Sequence, residues 1–324
     1  MRILPLAVLN MCLATPALAF DMEAHRGGRA LLPENTLPAF ANALAIGVDT
    51  LELDTGVTQD GVVIVSHERG LNPDLVRKTD GAYASLPEIP FITLPLAVVK
   101  TYDVGQIRPG SDYAKTFAGQ RSVPGARIPT LAEVIALVRK SGNSAVRLNI
   151  ETKIDPRHPG ETLDPHLFAA VLVDTIRKEM FTGRVMIQSF DWRTLQTAQK
   201  LAPEIPTVYL SQQTGSEPTV SADKPTPWTA GFNPVDYGKS VPKAVKAAGG
   251  TIWSPFFADV TAPVIKEAHD LGLKVVVWTV NRPDEMARMI DLGVDGIISD
   301  RPDLLREAAK AKGITLPPGT AVTP

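Results

Sequence analysis

Acidic residues sit where a parallel sheet has little reason to keep them. In Thr50-Leu51-Glu52-Leu53-Asp54, strand alternation puts both carboxylates on one face and both leucines on the other. Parallel strands are covered on both faces, so an acidic face must point at a cation, a partner or the mouth of a barrel. A second stretch repeats the pattern, with Arg147, Asn149, Glu151 and Lys153 opposite Val146, Leu148 and Ile150. Glu52, Asp54 and Glu151 offer only oxygen, which suits one hard divalent cation, Mg²⁺ or Ca²⁺, better than Zn²⁺. Lys153 beside Glu151 is the pairing expected where such a cation meets an anionic substrate. Each stretch alone also has a plainer reading, a solvated edge strand for the first and an inter-strand salt bridge for the second.

Histidine placement adds to this. His25 ends an apolar strand pattern and is followed by Arg26-Gly27-Gly28, while His67 ends the run Val62-Val63-Ile64-Val65. Both fall at carboxyl ends of strands, the side on which barrel enzymes carry their catalytic groups. Two imidazoles beside three carboxylates and a lysine suit phosphoryl chemistry, one accepting a proton and the other donating one to a leaving alkoxide.

These residues need a scaffold. Short apolar runs alternate with helix-period segments from about residue 22 onward, the signature of parallel β/α units. Candidate strands are 22–26, 50–55, 62–67, 146–152, 184–189, 206–210, 250–255, 274–280 and 296–299. Thr130 and Glu133 form a capping box ahead of Leu131, Val134, Ile135 and Val138. Pro263 with Gly272, and Pro283 with Gly293, bracket two further helices. The count fits an α/β fold, a TIM-type (β/α)8 barrel over residues 20–312, with an extra strand near 62–67. Residues 68–127 are too long for a βα loop and read as an insertion over one end of the barrel. The stretch 211–240 is a shorter excursion, and the proline-rich segment 313–324 is expected to be disordered.

The beginning of the chain reads as a signal peptide over residues 1–19. Arg2 precedes an apolar run, and Ala17-Leu18-Ala19 has the small-x-small pattern of a cleavage site. The run is too short and too broken to span a bilayer, so an exported protein, periplasmic or secreted, is expected, without stable membrane insertion. The single cysteine, Cys12, lies in that leader and leaves the remaining chain without thiol chemistry. A net charge of −2 over the whole sequence argues against a nucleic-acid partner.

The motifs also carry a resemblance. His25-Arg26-Gly27, Pro33-Glu34-Asn35-Thr36, Glu52-Leu53-Asp54 with Thr58-Gln59-Asp60-Gly61, and the strand ending in His67 resemble the ordered N-terminal motifs of glycerophosphodiester phosphodiesterases, in the phospholipase C-like phosphodiesterase superfamily. Ile128-Pro129-Thr130-Leu131, Glu151-Thr152-Lys153, Gln188-Ser189-Phe190, Trp278-Thr279-Val280-Asn281 and Gly296-Ile297-Ile298-Ser299-Asp300 extend it over about residues 22–305.

That resemblance implies metal-dependent hydrolysis of glycerophosphodiesters to glycerol 3-phosphate and an alcohol. Glu52, Asp54 and Glu151 would bind the cation, and His25 and His67 would be the general acid/base pair. Arg26 and Lys153 would hold phosphate, Glu34 would be a further ligand or hydrogen-bond partner, and Phe190 and Trp278 would line the alcohol side. One departure is Glu68, where the family usually has Asp after the second histidine, which leaves open how that acid orients His67. Two alternatives remain. A lysophospholipase D or phospholipase C-like activity would be favoured by an apolar groove along Leu86 to Val99. A non-catalytic exported phosphodiester-binding protein would have no need of two histidines.

Overall fold

The structure is a computed structural model that describes residues 20–324, so the expected leader, 1–19, lies outside the described residues. Nine strands form one sheet: β1 (Asp21–Ala24), β2 (Thr50–Val57), β3 (Val63–Val65), β4 (Arg147–Thr152), β5 (Val185–Ser189), β6 (Thr207–Ser211), β7 (Ile252–Pro255), β8 (Lys274–Val277) and β9 (Gly296–Ser299). Their order is β1-β9-β8-β7-β6-β5-β4-β2-β3, and a β1–β2 pairing closes eight parallel strands into a barrel. The ten α-helices among the described residues are α1 (Leu37–Ile46), α2 (Leu96–Val99), α3 (Asp112–Thr116), α4 (Leu131–Lys140), α5 (Pro165–Lys178), α6 (Trp192–Leu201), α7 (Val241–Ala247), α8 (Ala262–Asp270), α9 (Pro283–Asp291) and α10 (Pro302–Ala311). All except α2 and α3 follow a barrel strand, giving the eight β/α units of a TIM barrel.

Outward-facing strand residues such as Leu51, Leu53, Leu148, Ile150, Ile187 and Ile297 are buried against the helices in one continuous core. The capping box at α4 forms as expected. Thr130 Oγ1 accepts from the Glu133 amide at 3.2 Å, and Glu133 Oε2 accepts from the Thr130 amide at 2.7 Å. Among the described residues, no helix is long and apolar enough to cross a membrane.

β3 runs antiparallel to β2, pairing Val65 with Thr55. Its carboxyl end therefore does not reach the mouth in the way a barrel strand's does. β2 projects past the barrel, and β3 turns back along it, so that the Ser66 amide donates to Asp54 O at 2.9 Å and His67 returns to the mouth. The insertion then begins. It builds a satellite core from Leu71, Val76, Phe91 and Val99 against Ile64 and Ile128.

This core corrects one expectation. The apolar residues between Leu86 and Val99 do not form an open groove: Phe91 and Val99 are buried, and Leu94 and Leu96 pack against them. Leu86, Ile89 and Val98 remain exposed. These side chains give the insertion an apolar centre of its own, built against Ile64 of β3 and Ile128.

The segment 313–324 is a second correction. Instead of being disordered it runs along α1 and α10: the Thr320 amide donates to Leu44 O at 2.8 Å, Arg306 Nη1 donates to Pro317 O at 2.7 Å, and Ile314, Leu316 and Val322 pack against the main core. Its proline content limits the entropy lost on ordering, and three apolar anchors outweigh the rest.

Candidate active site

Strand register builds the site. β2 and β4 pair with Asp54 opposite Glu151 and Glu52 opposite Asn149, and β4 and β5 pair with Glu151 opposite Gln188. The carboxylates of Glu52, Asp54 and Glu151 thereby converge, with one oxygen from each within 4.8 Å of the others. All three are buried. Burial and the neighbouring Asp54 and Glu151 push Glu52 well above the usual carboxylate range. Glu151 is pushed up to about 7, again chiefly by burial, against the opposing pull of Lys153. Asp54 is also buried, but Arg26 and Lys153 hold it well below that range.

Three desolvated carboxylates in contact repel one another unless a positive charge lies between them. Asp54 Oδ1 has no hydrogen-bond partner, the Lys153 ammonium standing 3.5 Å away. An orphaned buried oxygen within an all-oxygen donor set fits a hard divalent cation.

Each carboxylate is aimed by its partners. Gln188 donates to Glu52 Oε1 at 2.7 Å, and the Arg26 amide donates to Glu52 Oε2 at 2.8 Å. Asn35 donates to Asp54 Oδ2 at 2.9 Å, and Lys153 donates to Glu151 Oε1 at 2.9 Å. Arg26 reaches Glu52 because it adopts a left-handed conformation with φ 52°, in the turn His25–Gly27 directly after β1. The next residue must be glycine: Gly27 has φ 80°, and a Cβ there would meet the Ala39 Cβ at 2.9 Å. Glu34 is not in the three-carboxylate cluster. It accepts from Arg26 Nη1 at 2.8 Å and so acts as the hydrogen-bond partner of that guanidinium.

Both histidines face this nest. His25 Nδ1 lies 2.5 Å from Asp300 Oδ1, and its Nε2 is 4.0 Å from Glu52 Oε2. Burial lowers His25 to about 4, despite the opposing pull of Asp300. His67 Nδ1 lies 2.8 Å from Glu68 Oε1, so the longer Glu68 side chain does reach its histidine. His67 is lowered to about 4 by burial and by the charges of Arg26 and Lys153. Burial opposes ionisation of Glu68, but its bond to His67 holds it at about 2.

Asp300 and Asn281, which lie in the motifs but carry no role from sequence alone, stand behind His25 together with Arg29. Asp300 is buried and also accepts from Arg29 Nε at 2.7 Å and from Asn281 Nδ2 at 2.7 Å. Although buried, it is held well below the usual carboxylate range by His25 and Arg29. Ala24 pairs with Ser299 where the barrel closes, so the residues that follow them, His25 and Asp300, emerge side by side. The signal was available in principle, since the first and last strands of a closed barrel must be neighbours.

His25, His67, Arg26, Glu52, Glu151 and Lys153 line a mouth cavity of ≈ 130 Å³, whose far side is formed by Phe190, Leu210 and Trp278. Phe190 and Trp278 meet edge to face, with centroids 5.2 Å apart, and the Lys153 ammonium lies 5.7 Å from the Phe190 ring centre. Trp278 also packs on the apolar barrel interior and donates to Ser254 O at 2.9 Å, so it is both wall and filler.

A hydrogen-bonded line runs down the barrel from this site. Gln188 Oε1 accepts from Asn149 Nδ2 at 3.0 Å, and that same amide group donates to Glu23 Oε2 at 2.9 Å. Through Gln188 the line ends on Glu52.

Comparison with known proteins agrees with this geometry. Residues 25–304 match the model of the glycerophosphoryl diester phosphodiesterase family. A glycerophosphodiester phosphodiesterase of Caldanaerobacter subterraneus subsp. tengcongensis is 30% identical over 90% of this chain and 98% of its own length. A structure ascribed to a glycerophosphoryl diester phosphodiesterase from Silicibacter pomeroyi DSS-3 superposes with a TM-score of 0.80 and 34% identity, covering 92% of this chain and 96% of the other. An Oleispira antarctica phosphodiesterase, in complex with the product sn-glycerol-3-phosphate, shares the fold with a TM-score of 0.65 at 22% identity, covering 90% and 97%. The chain belongs to the glycerophosphoryl diester phosphodiesterase family and is a hydrolase of glycerophosphodiesters.

Proposed function

We propose that the substrates are glycerophosphodiesters with small polar head groups, such as glycerophosphocholine or glycerophosphoethanolamine, cleaved to glycerol 3-phosphate and the free alcohol. The observation that carries this reading is a pair of carboxylate-backed histidines facing one nest of three buried carboxylates. Glu52, Asp54 and Glu151 would hold Mg²⁺ or Ca²⁺, which when bound polarises phosphate and lowers the pKa of an attacking hydroxyl or water.

Arg26 and Lys153 grip phosphate oxygens and stabilise the charge that grows during displacement at phosphorus. One imidazole takes the proton of the attacking oxygen, while the other returns a proton to the leaving alkoxide. Asp300 and Glu68 hold each ring by Nδ1, which leaves Nε2 for proton transfer. Phe190 and Trp278 offer an apolar wall to the alcohol side of the substrate. The Ala17-Leu18-Ala19 leader supports export to the periplasm or the exterior.

The decisive assay is release of glycerol 3-phosphate from glycerophosphocholine and glycerophosphoethanolamine after EDTA treatment and after restoration with Mg²⁺ or Ca²⁺. Release that returns with one ion and is lost in His25→Ala is expected. Absence of release with both ions would sink the proposal.

A further inference from the structure

The hydrolytic site occupies the mouth of the barrel and leaves the opposite end unused. There, at the amino ends of the strands, a cavity of ≈ 260 Å³ enters the barrel. One wall is ionic, formed by Asp21 and Glu23 on β1 and Arg147 on β4, and the facing wall is apolar, formed by Met186, Val208 and Ile252.

Most of the ionic groups are already matched. Arg147 Nη2 donates to Asp21 Oδ2 at 2.7 Å, and Thr50 donates to Asp21 Oδ1 at 2.8 Å. Glu204 at the rim pairs with Arg177, and Asp295 accepts from the Val275 amide and contacts His269. Glu23 is different. Its residue exposure is 1%, Asn149 donates to Oε2, and Oε1 has no partner among the described residues. The adjoining Asn149 Oδ1 is orphaned too, and the amide cannot be turned to relieve it, because its nitrogen already serves two acceptors, Glu23 Oε2 and Gln188 Oε1.

Two neighbouring buried acceptors without a donor suit a group that only donates, and an ammonium has three donors and no acceptor. Burial and the nearby Asp21 push Glu23 well above the usual carboxylate range, and a cation on Oε1 would favour its ionised form. The volume exceeds the ~30 Å³ share of one water, and a purely aqueous filling would leave the apolar wall wet.

We propose that this cavity is a second binding site that takes a small alkylammonium ion, its ammonium on Glu23 Oε1 and its hydrocarbon part against Met186, Val208 and Ile252. No step of hydrolysis uses this site, which meets the mouth only through the hydrogen bonds of Asn149 and Gln188.

The test is calorimetric titration of the full chain, with Mg²⁺ or Ca²⁺ saturating the mouth, using three probes of one shape: n-butylammonium, n-butanol and butyrate. Butylammonium should bind at least about tenfold more tightly than butanol, and butyrate should not bind. Glu23→Gln should weaken butylammonium by about tenfold or more. Ile252→Phe, which fills the cavity from its apolar side and leaves Glu23 in place, should weaken it as well. Circular dichroism establishes that each variant is folded, and Ile252→Phe decides alone if Glu23→Gln is not. Equal binding of butanol, preference for butyrate, unchanged affinity in Ile252→Phe, or no butylammonium binding would each overturn the proposal.

Discussion

β1, β2 and β4 line the barrel interior with Glu23, Glu52, Asp54, Asn149 and Glu151, whereas β5 to β9 contribute Met186, Val208, Ile252, Val276 and Ile298. The two walls face each other across the same few ångströms and contribute differently. The polar wall holds the chemistry, at the cost of desolvating several carboxylates. The apolar wall touches little of that chemistry, yet by excluding water it makes the charges of Arg26 and Lys153 act strongly on their neighbours. It also supplies packing that the polar wall cannot. Function and stability are therefore largely assigned to opposite sides of one barrel.

The sharpest way to break this division is to mutate each side and compare losses. Asp54→Asn and Glu151→Gln keep shape but remove charge, and hydrolysis should fall by at least about 10²–10³-fold. Calorimetry should show loss of divalent-cation binding in both, with melting temperature changed little. A similar fall in turnover per folded molecule on substituting Val276 would erase the distinction.

Next in size are the residues that hold the histidines. Asp300→Ala should reduce kcat by about 10–100-fold, since removing a group that orients an imidazole costs that order. Glu68→Ala should cost less. The Asp300 side chain is 2% exposed and fixed by Arg29 and Asn281, whereas the Glu68 side chain is 33% exposed, so water can replace part of what it does. Equal losses in steady-state assays of the two variants would mean that burial of the backing carboxylate does not matter.

On the apolar wall the expected effect is thermodynamic. Val276→Ala should lower unfolding free energy by about 1–3 kcal/mol in urea titrations while kcat stays within about threefold.

The smallest effect concerns pH. Burial raises Asp49, beside Asp21, to about 6, so the folded state binds its proton more tightly than the unfolded chain does. Its contribution is favourable at low pH and is lost as pH rises through the ordinary carboxylate range to about 6. Asp49→Asn should therefore gain melting temperature relative to wild type as pH rises through that window and hold the gain above it. Melting curves that stay parallel from pH 4 to pH 8 would exclude this.

Much of the architecture was legible because strand periodicity is local. Every expected strand is present within a few residues, and Glu52, Asp54 and Glu151 converge because alternation fixes their faces and parallel register fixes their heights. What was not legible depends on contacts between distant parts of the chain. Asp300 becomes the partner of His25 only when the last strand closes on the first. The direction of β3 is set by its pairing with the projecting end of β2, so it is this return, and not a barrel strand's own carboxyl end, that brings His67 to the mouth. The segment 313–324 looks unstructured by composition, and only the surface of α1 and α10 gives its apolar residues somewhere to go.

The returning strand β3 has a bearing on how this enzyme could be re-engineered. Val63–Val65 leads directly into His67 and Glu68 and from there into the insertion, so the second histidine and the insertion form one cassette on the β2 projection. A chimera that exchanges insertions between relatives with its upstream junction after Glu68 keeps the His67–Glu68 pair on its native strand, and needs the contacts of Tyr113, Phe117 and Gln120 with Arg29 to be preserved. A junction placed before Val63 transplants half of the acid/base pair together with the insertion, so the two would have to be optimised jointly.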